Sequence, residues 1–168
     1  MLRLTGMNQN KQQRFQQLAD DYKVVIAKVC SVYSSPSAPF ADLYQEVMLN
    51  LWVGLDSFRG ESKVSTWIYR LALNTCINWH RRNRRHSGMA SLETSAEIPA
   101  PADDITEGVQ MLYRLIEHLD PMEKALITLW LDEKPYDEIA AILGISKANV
   151  ATRLHRVRAH LSQLAEKS

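Results

Sequence analysis

Apolar residues recur every three to four positions through most of this 168-residue chain. That spacing places them along one face of an α-helix, whereas a half-buried strand would alternate with a period of two. In the first half it predicts three helices, over residues 8–33, residues 42–55, and from Val64 to about Arg85. The second half has the same period, and the predicted fold is therefore all-α.

Capping residues mark two helix starts in the second half. Asp104 with Glu107 predicts a capping box for a helix that runs to residue 119. Asp120, Pro121 and Glu123 supply an N-cap, a proline in the first turn and an acid at the third helical position of the next helix.

The segment 87–104 lacks helical periodicity. It is rich in Ser, Ala, Pro and acidic residues and contains no Lys or Arg, a composition typical of a flexible linker. We therefore expect two small helical domains, residues 1–86 and 105–168, that fold separately and are joined by this tether.

Charge is distributed unevenly between the two parts. Residues 1–86 hold 12 Lys/Arg and 6 Asp/Glu, whereas residues 87–168 hold 8 and 13. A dimerisation or effector-binding domain has no need of such a positive excess, so the N-terminal domain is predicted to meet nucleic acid.

Composition and motifs exclude several classes of protein. At 46% apolar and 23% charged residues, the chain has the composition of a folded protein rather than a disordered one. No apolar run approaches the roughly 18 residues of a membrane helix, and the N-terminus lacks the apolar region of a signal peptide. We expect a cytoplasmic protein without membrane insertion.

Candidate catalytic and metal-binding residues are lacking. No glycine-rich phosphate loop, GxSxG or HExxH motif occurs. His80 and His86 are six residues apart, do not share a helical face, and have no acid or Cys beside them. Cys30 and Cys76 stand in apolar surroundings without CxxC spacing, which favours buried thiols over a disulfide or a metal pair. No enzymatic activity, metal or cofactor is expected.

The C-terminal domain contains a predicted helix-turn-helix. A short helix over residues 136–143, a turn containing Gly144, and a helix that begins with Ser146 as N-cap and runs to about Ala165 have the required spacing. No acid occurs between Glu138 and Glu166, so the outward face of the last helix is positive. A solvated basic face in a protein-binding bundle is the alternative interpretation. The base-edge candidates are Lys147, Asn149, Thr152 and Arg153, with phosphate contacts at Arg156 and Arg158.

The third helix carries a polar stripe away from its apolar face. An aromatic side chain beside amide and guanidinium donors suits unpaired bases, which offer a stacking face and exposed edges. We expect Asn74 to read an unpaired base, with Trp67 and Arg70 at the edge of its pocket. The alternatives are a core position for Trp67 and a solvated helix end for the arginine cluster. The stripe consists of Arg70, Asn74, Asn78, Arg81 and Arg85.

Several strings resemble the extracytoplasmic function (ECF) type of bacterial sigma factor, within the sigma-70 family. Residues 42–52 (DLYQEVMLNLW) and 55–82 (LDSFRGESKVSTWIYRLALNTCINWHRR) resemble its second conserved region, and residues 119–161 resemble its fourth. The strings FRGES, STW and YDEIAAILGIS are highly specific in this order. The chain departs from the pattern at Tyr44, where an aliphatic residue is common, and at Ala151 and Thr152, where many members have a basic residue followed by Ser.

This resemblance implies a protein that binds core RNA polymerase and directs promoter-specific initiation of transcription. It implies that the N-terminal domain reads the minus-ten element and the helix-turn-helix the minus-thirty-five element, on duplex and melted DNA, and that an anti-sigma factor is a further partner. The implied polymerase-docking residues are Asp42, Gln45, Glu46, Leu49 and Trp52. The implied minus-ten residues are Arg59, Ser65, Thr66, Trp67, Arg70, Asn74, Asn78, Arg81, Arg82 and Arg85. The implied minus-thirty-five residues are Ser146, Lys147, Asn149, Thr152, Arg153, Arg156 and Arg158.

The main alternative is a helix-turn-helix transcriptional repressor or activator that does not act as a polymerase subunit. It explains the C-terminal half equally well. It does not explain why the N-terminal domain has an excess of positive charge and a second polar stripe, and neither does a structural adaptor that binds no DNA.

Overall fold

The computed structural model describes the backbone of residues 2–86 and 106–167 and the side chains of residues 9–83 and 106–167. This part of the chain is helical throughout, apart from turns and an isolated bridge between Ser35 and Ala38, which confirms the all-α prediction. The predicted linker, residues 87–104, lies outside the described residues. The helices are α1 (Leu2–Asp21), α2 (Lys23–Tyr33), α3 (Phe40–Gly54), α4 (Val64–His86), α5 (Glu107–Glu117), α6 (Pro121–Leu131), α7 (Tyr136–Leu143) and α8 (Lys147–Glu166).

The first predicted helix is two helices, so the prediction of one helix over residues 8–33 is wrong. Tyr22 leaves helical geometry, with φ −111° and ψ 9°. Its N–H still donates to the carbonyl of Leu18 at 3.0 Å and its carbonyl accepts from the N–H of Ile26 at 2.9 Å, so the chain bends here without separating. The apolar period continues across the bend, and for this reason it could not reveal the break.

The next two helices lie close to their predicted positions. Helix α3 begins at Phe40, two residues before the predicted start, with Pro39 as its N-cap at φ −57°. Proline fixes a φ compatible with a helix start and has no N–H to leave unpaired there. Helix α4 follows its predicted course from Val64 through the arginine cluster.

Of the two predicted capping boxes, one is confirmed and one is wrong. Helix α5 has Thr106 as its N-cap, without a side-chain capping bond, and Asp104 lies outside the described residues. At α6, Oδ1 of Asp120 accepts from the N–H groups of Met122 and Glu123, both at 2.8 Å. The Glu123 carboxylate in turn accepts from the Asp120 N–H at 3.1 Å, which completes the box.

The predicted helix-turn-helix is confirmed. Helix α7 ends at Gly144, whose φ of 68° and ψ of 32° lie in the left-handed region that glycine adopts without a Cβ clash. The hydroxyl of Ser146 then accepts from the N–H of Asn149 at 3.1 Å and caps α8. The side chains buried between these helices include Ile139, Ile142, Val150, Leu154 and Val157.

The N-terminal helices α1–α4 and the C-terminal helices α5–α8 pack against each other and share one hydrophobic core. The hydroxyl of Tyr33 donates to the carbonyl of Pro121 at 2.5 Å. The hydroxyl of Tyr69 donates to Oδ2 of Asp132 at 2.6 Å, and Lys28 forms an ion pair with the same carboxylate. Periodicity within single helices did not predict this contact between the two parts.

Two further features concern the cysteine thiols and the apolar character of the helices. Cys30 and Cys76 are free thiols and fully buried, as predicted, and their mutual hydrogen bond together with burial raises the pKa of Cys76. Within residues 2–86 and 106–167, no helix combines the length and the apolar character needed to cross a bilayer.

Candidate nucleic-acid interface

The outward face of α8 presents basic and amide side chains. Lys147, Arg153 and Arg156 are exposed, and Asn149 is half-buried. Nε of Arg153 donates to Oδ1 of Asn149 at 2.9 Å, so these two side chains form one donor-rich unit at the start of the helix. This is the part of a recognition helix that meets base edges in a major groove.

The far end of α8 turns toward α6. Nδ1 of His160 lies 3.9 Å from the carboxylate of Glu123, and the guanidinium of Arg158 lies 4.9 Å from the centre of the Trp130 ring. The Ser146 hydroxyl accepts the capping hydrogen bond from the N–H of Asn149. Arg158 is exposed, and the predicted base-edge residues lie in the first turns of α8.

The polar stripe of α4 divides between two clefts. Asn74, Asn78, Arg81 and Arg82 line a cavity of about 590 Å³ between α3 and α4. Trp67 and Arg70 instead line a cleft of about 400 Å³ beside the loop that precedes α4. Trp67 and Arg70 therefore do not form the edge of the Asn74 pocket as expected, because they line a separate cleft nearer the N-terminal end of α4.

The α3–α4 cavity, as this first cleft is called below, is closed on its other wall by α3. Glu46, Asn50, Leu71 and Thr75 complete its lining. A nitrogen of the Arg82 guanidinium donates to Oε1 of Glu46 at 3.2 Å, which joins the two helices at the cavity. The cavity is thus lined by amides and by the guanidinium groups of Arg81 and Arg82.

The loop cleft, as the second is called below, is organised by an aromatic contact. The rings of Phe58 and Trp67 have centroids 4.7 Å apart. A Cβ placed on Gly54 would lie 3.1 Å from Cζ2 of Trp67, so the tryptophan packs closely on the end of α3. Trp67 is half-buried and both packs in the domain and lines the cleft, together with the exposed Arg59.

Arg70 connects the loop cleft to the helix-turn-helix. Its guanidinium donates to the carbonyl of Ala141 in α7 at 2.5 Å. Next to it, the ammonium of Lys134 lies 5.2 Å from the centre of the Tyr69 ring. In this packed arrangement a predicted minus-ten residue is held by the C-terminal helices.

Three other predicted minus-ten residues differ in their placement. Thr66 is 5% exposed and faces the core, because it lies on the side of α4 that packs against the other helices. Ser65 is half-buried. The side chain of Arg85 lies outside the described residues.

The outward face of α3 carries the predicted polymerase-docking residues. Asp42, Gln45 and Leu49 are exposed, whereas Glu46 is engaged with Arg82. Trp52 lies to one side of this face, under α1. Its ring packs edge-on against Phe15 at 5.4 Å and under the ammonium of Lys11 at 4.4 Å.

Two residues on α3 were missed from the sequence. Val53 is 60% exposed, one helical turn from Leu49, which is 56% exposed, so together they form an apolar patch on the predicted docking face. The spacing of four could have revealed Val53. Asn50 lines the α3–α4 cavity, and no pattern in the sequence distinguishes it from a solvated amide.

Comparisons with known proteins agree with this geometry. The family model Sigma-70 region 2 matches residues 18–86, and Sigma-70, region 4 matches residues 109–161. The RNA polymerase sigma factor YlaC of Bacillus subtilis (strain 168) is 34% identical over 134 residues, 76% of this chain and 78% of that protein. The ECF RNA polymerase sigma-E factor of Escherichia coli (strain K12) is 34% identical over 161 residues, 88% of this chain and 84% of that protein.

Two solved structures share the fold over both groups of helices. The sigma factor RpoE of Bartonella quintana, solved in complex with the anti-sigma factor NepR, has a TM-score of 0.76 and 22% identity over 92% of this chain and 98% of that chain. CnrH, in complex with the cytosolic domain of CnrY, has a TM-score of 0.66 and 23% identity over 94% and 90%. The chain belongs to the sigma-70 family of RNA polymerase sigma factors, and within it to the ECF type. Proteins of this class are transcription initiation factors.

Proposed function

We propose that this sigma factor reads the minus-ten element with the α3–α4 cavity and the loop cleft, and the minus-thirty-five element with the first turns of α8. The observation that carries the proposal is the pairing of amides and guanidinium groups on both surfaces. Unpaired bases need hydrogen bonds to their edges and a neutralised backbone, and a duplex major groove needs donors on a helix that fits into it.

The outward face of α3 docks core RNA polymerase. Leu49 and Val53 supply exposed apolar area, and Asp42 and Gln45 supply polar contacts around it. An apolar centre with a polar rim is the usual anatomy of a protein interface.

An anti-sigma factor is a further partner of this chain. The support is the likeness of its fold to RpoE and CnrH, which were solved with NepR and with the cytosolic domain of CnrY. The chain acts in the cytoplasm, where RNA polymerase works, and acts by binding, with no catalytic step and no cofactor of its own.

Transcription with purified components tests the proposal. Core polymerase mixed with the chain and genomic DNA fragments should yield discrete transcripts with defined starts. Binding to duplex DNA without any transcripts would instead identify a repressor or activator of the helix-turn-helix class.

Three substitutions, the first two with matched controls, then test the surfaces. Replacing Asn74 with alanine should weaken binding to a pre-melted promoter by about 5- to 150-fold at one base, whereas Asn10→Ala, on exposed α1, should have no effect. Arg153→Ala should relax preference at one position of the upstream element, and Arg114→Ala on α5 should not. Leu49→Asp should abolish binding to core polymerase. If all of these variants behave as wild type, the assigned surfaces are wrong.

A further inference from the structure

The α3–α4 cavity contains one amide whose orientation is fixed by its neighbours. Nδ2 of Asn50 lies 3.0 Å from Oγ1 of Thr75, and the Thr75 hydroxyl donates its single proton to the carbonyl of Leu71 at 2.7 Å. A hydroxyl that has donated its proton can only accept from other groups. The group of Asn50 that faces Thr75 must therefore be the NH₂ and not the carbonyl.

This orientation leaves the carbonyl oxygen of Asn50 available to a ligand. In the part of the chain that the structure describes, no donor bonds to Oδ1 of Asn50, and this oxygen is not among the buried atoms that lack a partner. Thr75 is 6% exposed and cannot easily turn to a different partner. The cavity wall thus holds an acceptor in a set position.

The other two amides of the cavity have no such constraint. Asn74 and Asn78 are exposed, and within the described residues neither side chain makes a hydrogen bond that would fix its flip. An amide that can rotate offers either a donor or an acceptor, so Asn74 and Asn78 do not by themselves fix which group faces a base. The flip of Asn50 is fixed by Thr75.

We propose that Asn50 is a specificity-determining residue of the minus-ten site. Its Oδ1 accepts from the exocyclic amine of an unpaired base held in the α3–α4 cavity. Adenine and cytosine carry an amine where guanine and thymine carry a carbonyl, and a carbonyl facing Oδ1 would place two acceptors against each other. The cavity therefore selects an amino base over its keto counterpart, and Thr75 is the positioning residue that sets this choice.

Size and charge at the cavity agree with this ligand. Its volume of about 590 Å³ lies within the roughly 300–1,000 Å³ of small-ligand sites. Arg81 and Arg82 are exposed residues of its lining and can meet the phosphates of a flipped nucleotide. The Glu46 carboxylate, which is also an acceptor in the lining, is already paired with Arg82 at 3.2 Å.

The experiment rests on the proposed function and uses the holoenzyme on a promoter recovered in the transcription assay. The minus-ten element is pre-melted, and each adenine or cytosine of its exposed strand is replaced in turn by hypoxanthine or uracil, which exchange the amine for a carbonyl. Wild type should lose about tenfold in affinity at one position. Asn50→Leu should bind the amino and keto templates equally at that position, and Asn50→Asp, which keeps an acceptor there, should retain the preference.

Thr75 supplies an independent pair of variants. Thr75→Val removes the hydroxyl and frees the Asn50 amide to flip, so the preference should fall although Asn50 is present. Thr75→Ser keeps the hydroxyl and should therefore retain the preference for the amino base. Thermal denaturation and co-purification with core polymerase show that each variant folds and binds the polymerase.

Two results would overturn the inference. One is a wild-type holoenzyme that binds amino and keto templates equally at every position. The other is an unchanged preference in both Asn50→Leu and Thr75→Val. In either case a loss caused by Asn74→Ala would leave the proposed minus-ten site standing, whereas absence of promoter-specific transcripts would refute the proposed function itself.

Discussion

Replacing Asp132 with alanine should separate the N-terminal helices from the C-terminal helices. The Asp132 carboxylate accepts from the hydroxyl of Tyr69 at 2.6 Å and is paired with Lys28, so two elements of the N-terminal domain are bound to one residue at the end of α6. The same packing holds the guanidinium of Arg70 on the carbonyl of Ala141.

The size of the effect follows from these contacts. A hydrogen bond to a charged group contributes about 1.5–3 kcal/mol, and a partly exposed ion pair contributes about 0–1 kcal/mol. The Asp132 side chain is 14% exposed and that of Lys28 is 32% exposed, so solvent screens the ion pair only in part. Loss of both interactions should weaken the packing by about 1.5–4 kcal/mol, or roughly 10- to 1,000-fold in the ratio of packed to separated molecules.

Energy transfer between two dyes measures this ratio directly. Cysteines introduced at Gln13 in α1 and Gln163 in α8, both exposed, can be labelled while the native thiols stay buried. The Asp132→Ala variant should show longer distances than wild type. Asp137→Ala removes an equal charge from an exposed position on α7 and should leave the dye distances unchanged.

Separation of the helices also releases Arg70 from the carbonyl of Ala141, and DNA binding can measure this release. If only separated molecules bind single-stranded DNA at the loop cleft, the apparent dissociation constant of the free chain is inversely proportional to their fraction. Asp132→Ala should then tighten this binding. Unchanged dye distances together with unchanged DNA affinity would refute the reasoning, since Asp132 would then contribute nothing to the packing.

Three further predictions concern stability. Asp120→Ala removes the N-cap of α6 and should lower the free energy of unfolding by about 1 kcal/mol in denaturant titrations. Burial lowers the pKa of His80, opposed by its hydrogen bond to the carbonyl of Tyr33, so the unfolded chain binds the proton more readily. The Tm should therefore fall as the pH drops below the ordinary histidine pKa of about 6.5, and this fall should be smaller in His80→Gln. Gly54→Ala should lower the Tm by displacing Trp67, whereas Gly108→Ala, whose Cβ meets nothing within 4 Å, should raise the stability by about 0.5–1 kcal/mol; equal effects at the two glycines would contradict this.

The sequence predicted best those features that depend on a few neighbouring residues. The end of α7 follows from Gly144, because glycine adopts a left-handed conformation without strain. The start of α8 follows from the capping hydroxyl of Ser146. The capping box of Asp120 is equally local. Such signals act within one turn and do not depend on what the helix packs against.

Features that depend on contacts between distant segments were missed or misplaced. The stripe of α4 was correctly placed on one helix, but its division into two clefts depends on α3 and on the loop around Phe58, which periodicity cannot position. Likewise, Asn50 acquires its fixed orientation only because Thr75 faces it from another helix. The bend at Tyr22 left the apolar period intact and gave no signal.

The packed arrangement is incompatible with simultaneous contact to both promoter elements. The centres of the minus-ten and minus-thirty-five elements are about 25 base pairs apart, or about 85 Å at 3.4 Å per pair. A compact chain of this length has a radius of gyration of only about 15 Å. Residues 87–105 could span at most about 65 Å when fully extended, enough to let two domains reach both elements once they part. The contacts of Asp132 and Arg70 with the opposite domain must therefore break on the promoter. The free energy of these contacts opposes DNA binding by the free chain, unless the contacts made with polymerase or DNA contribute a larger favourable free energy.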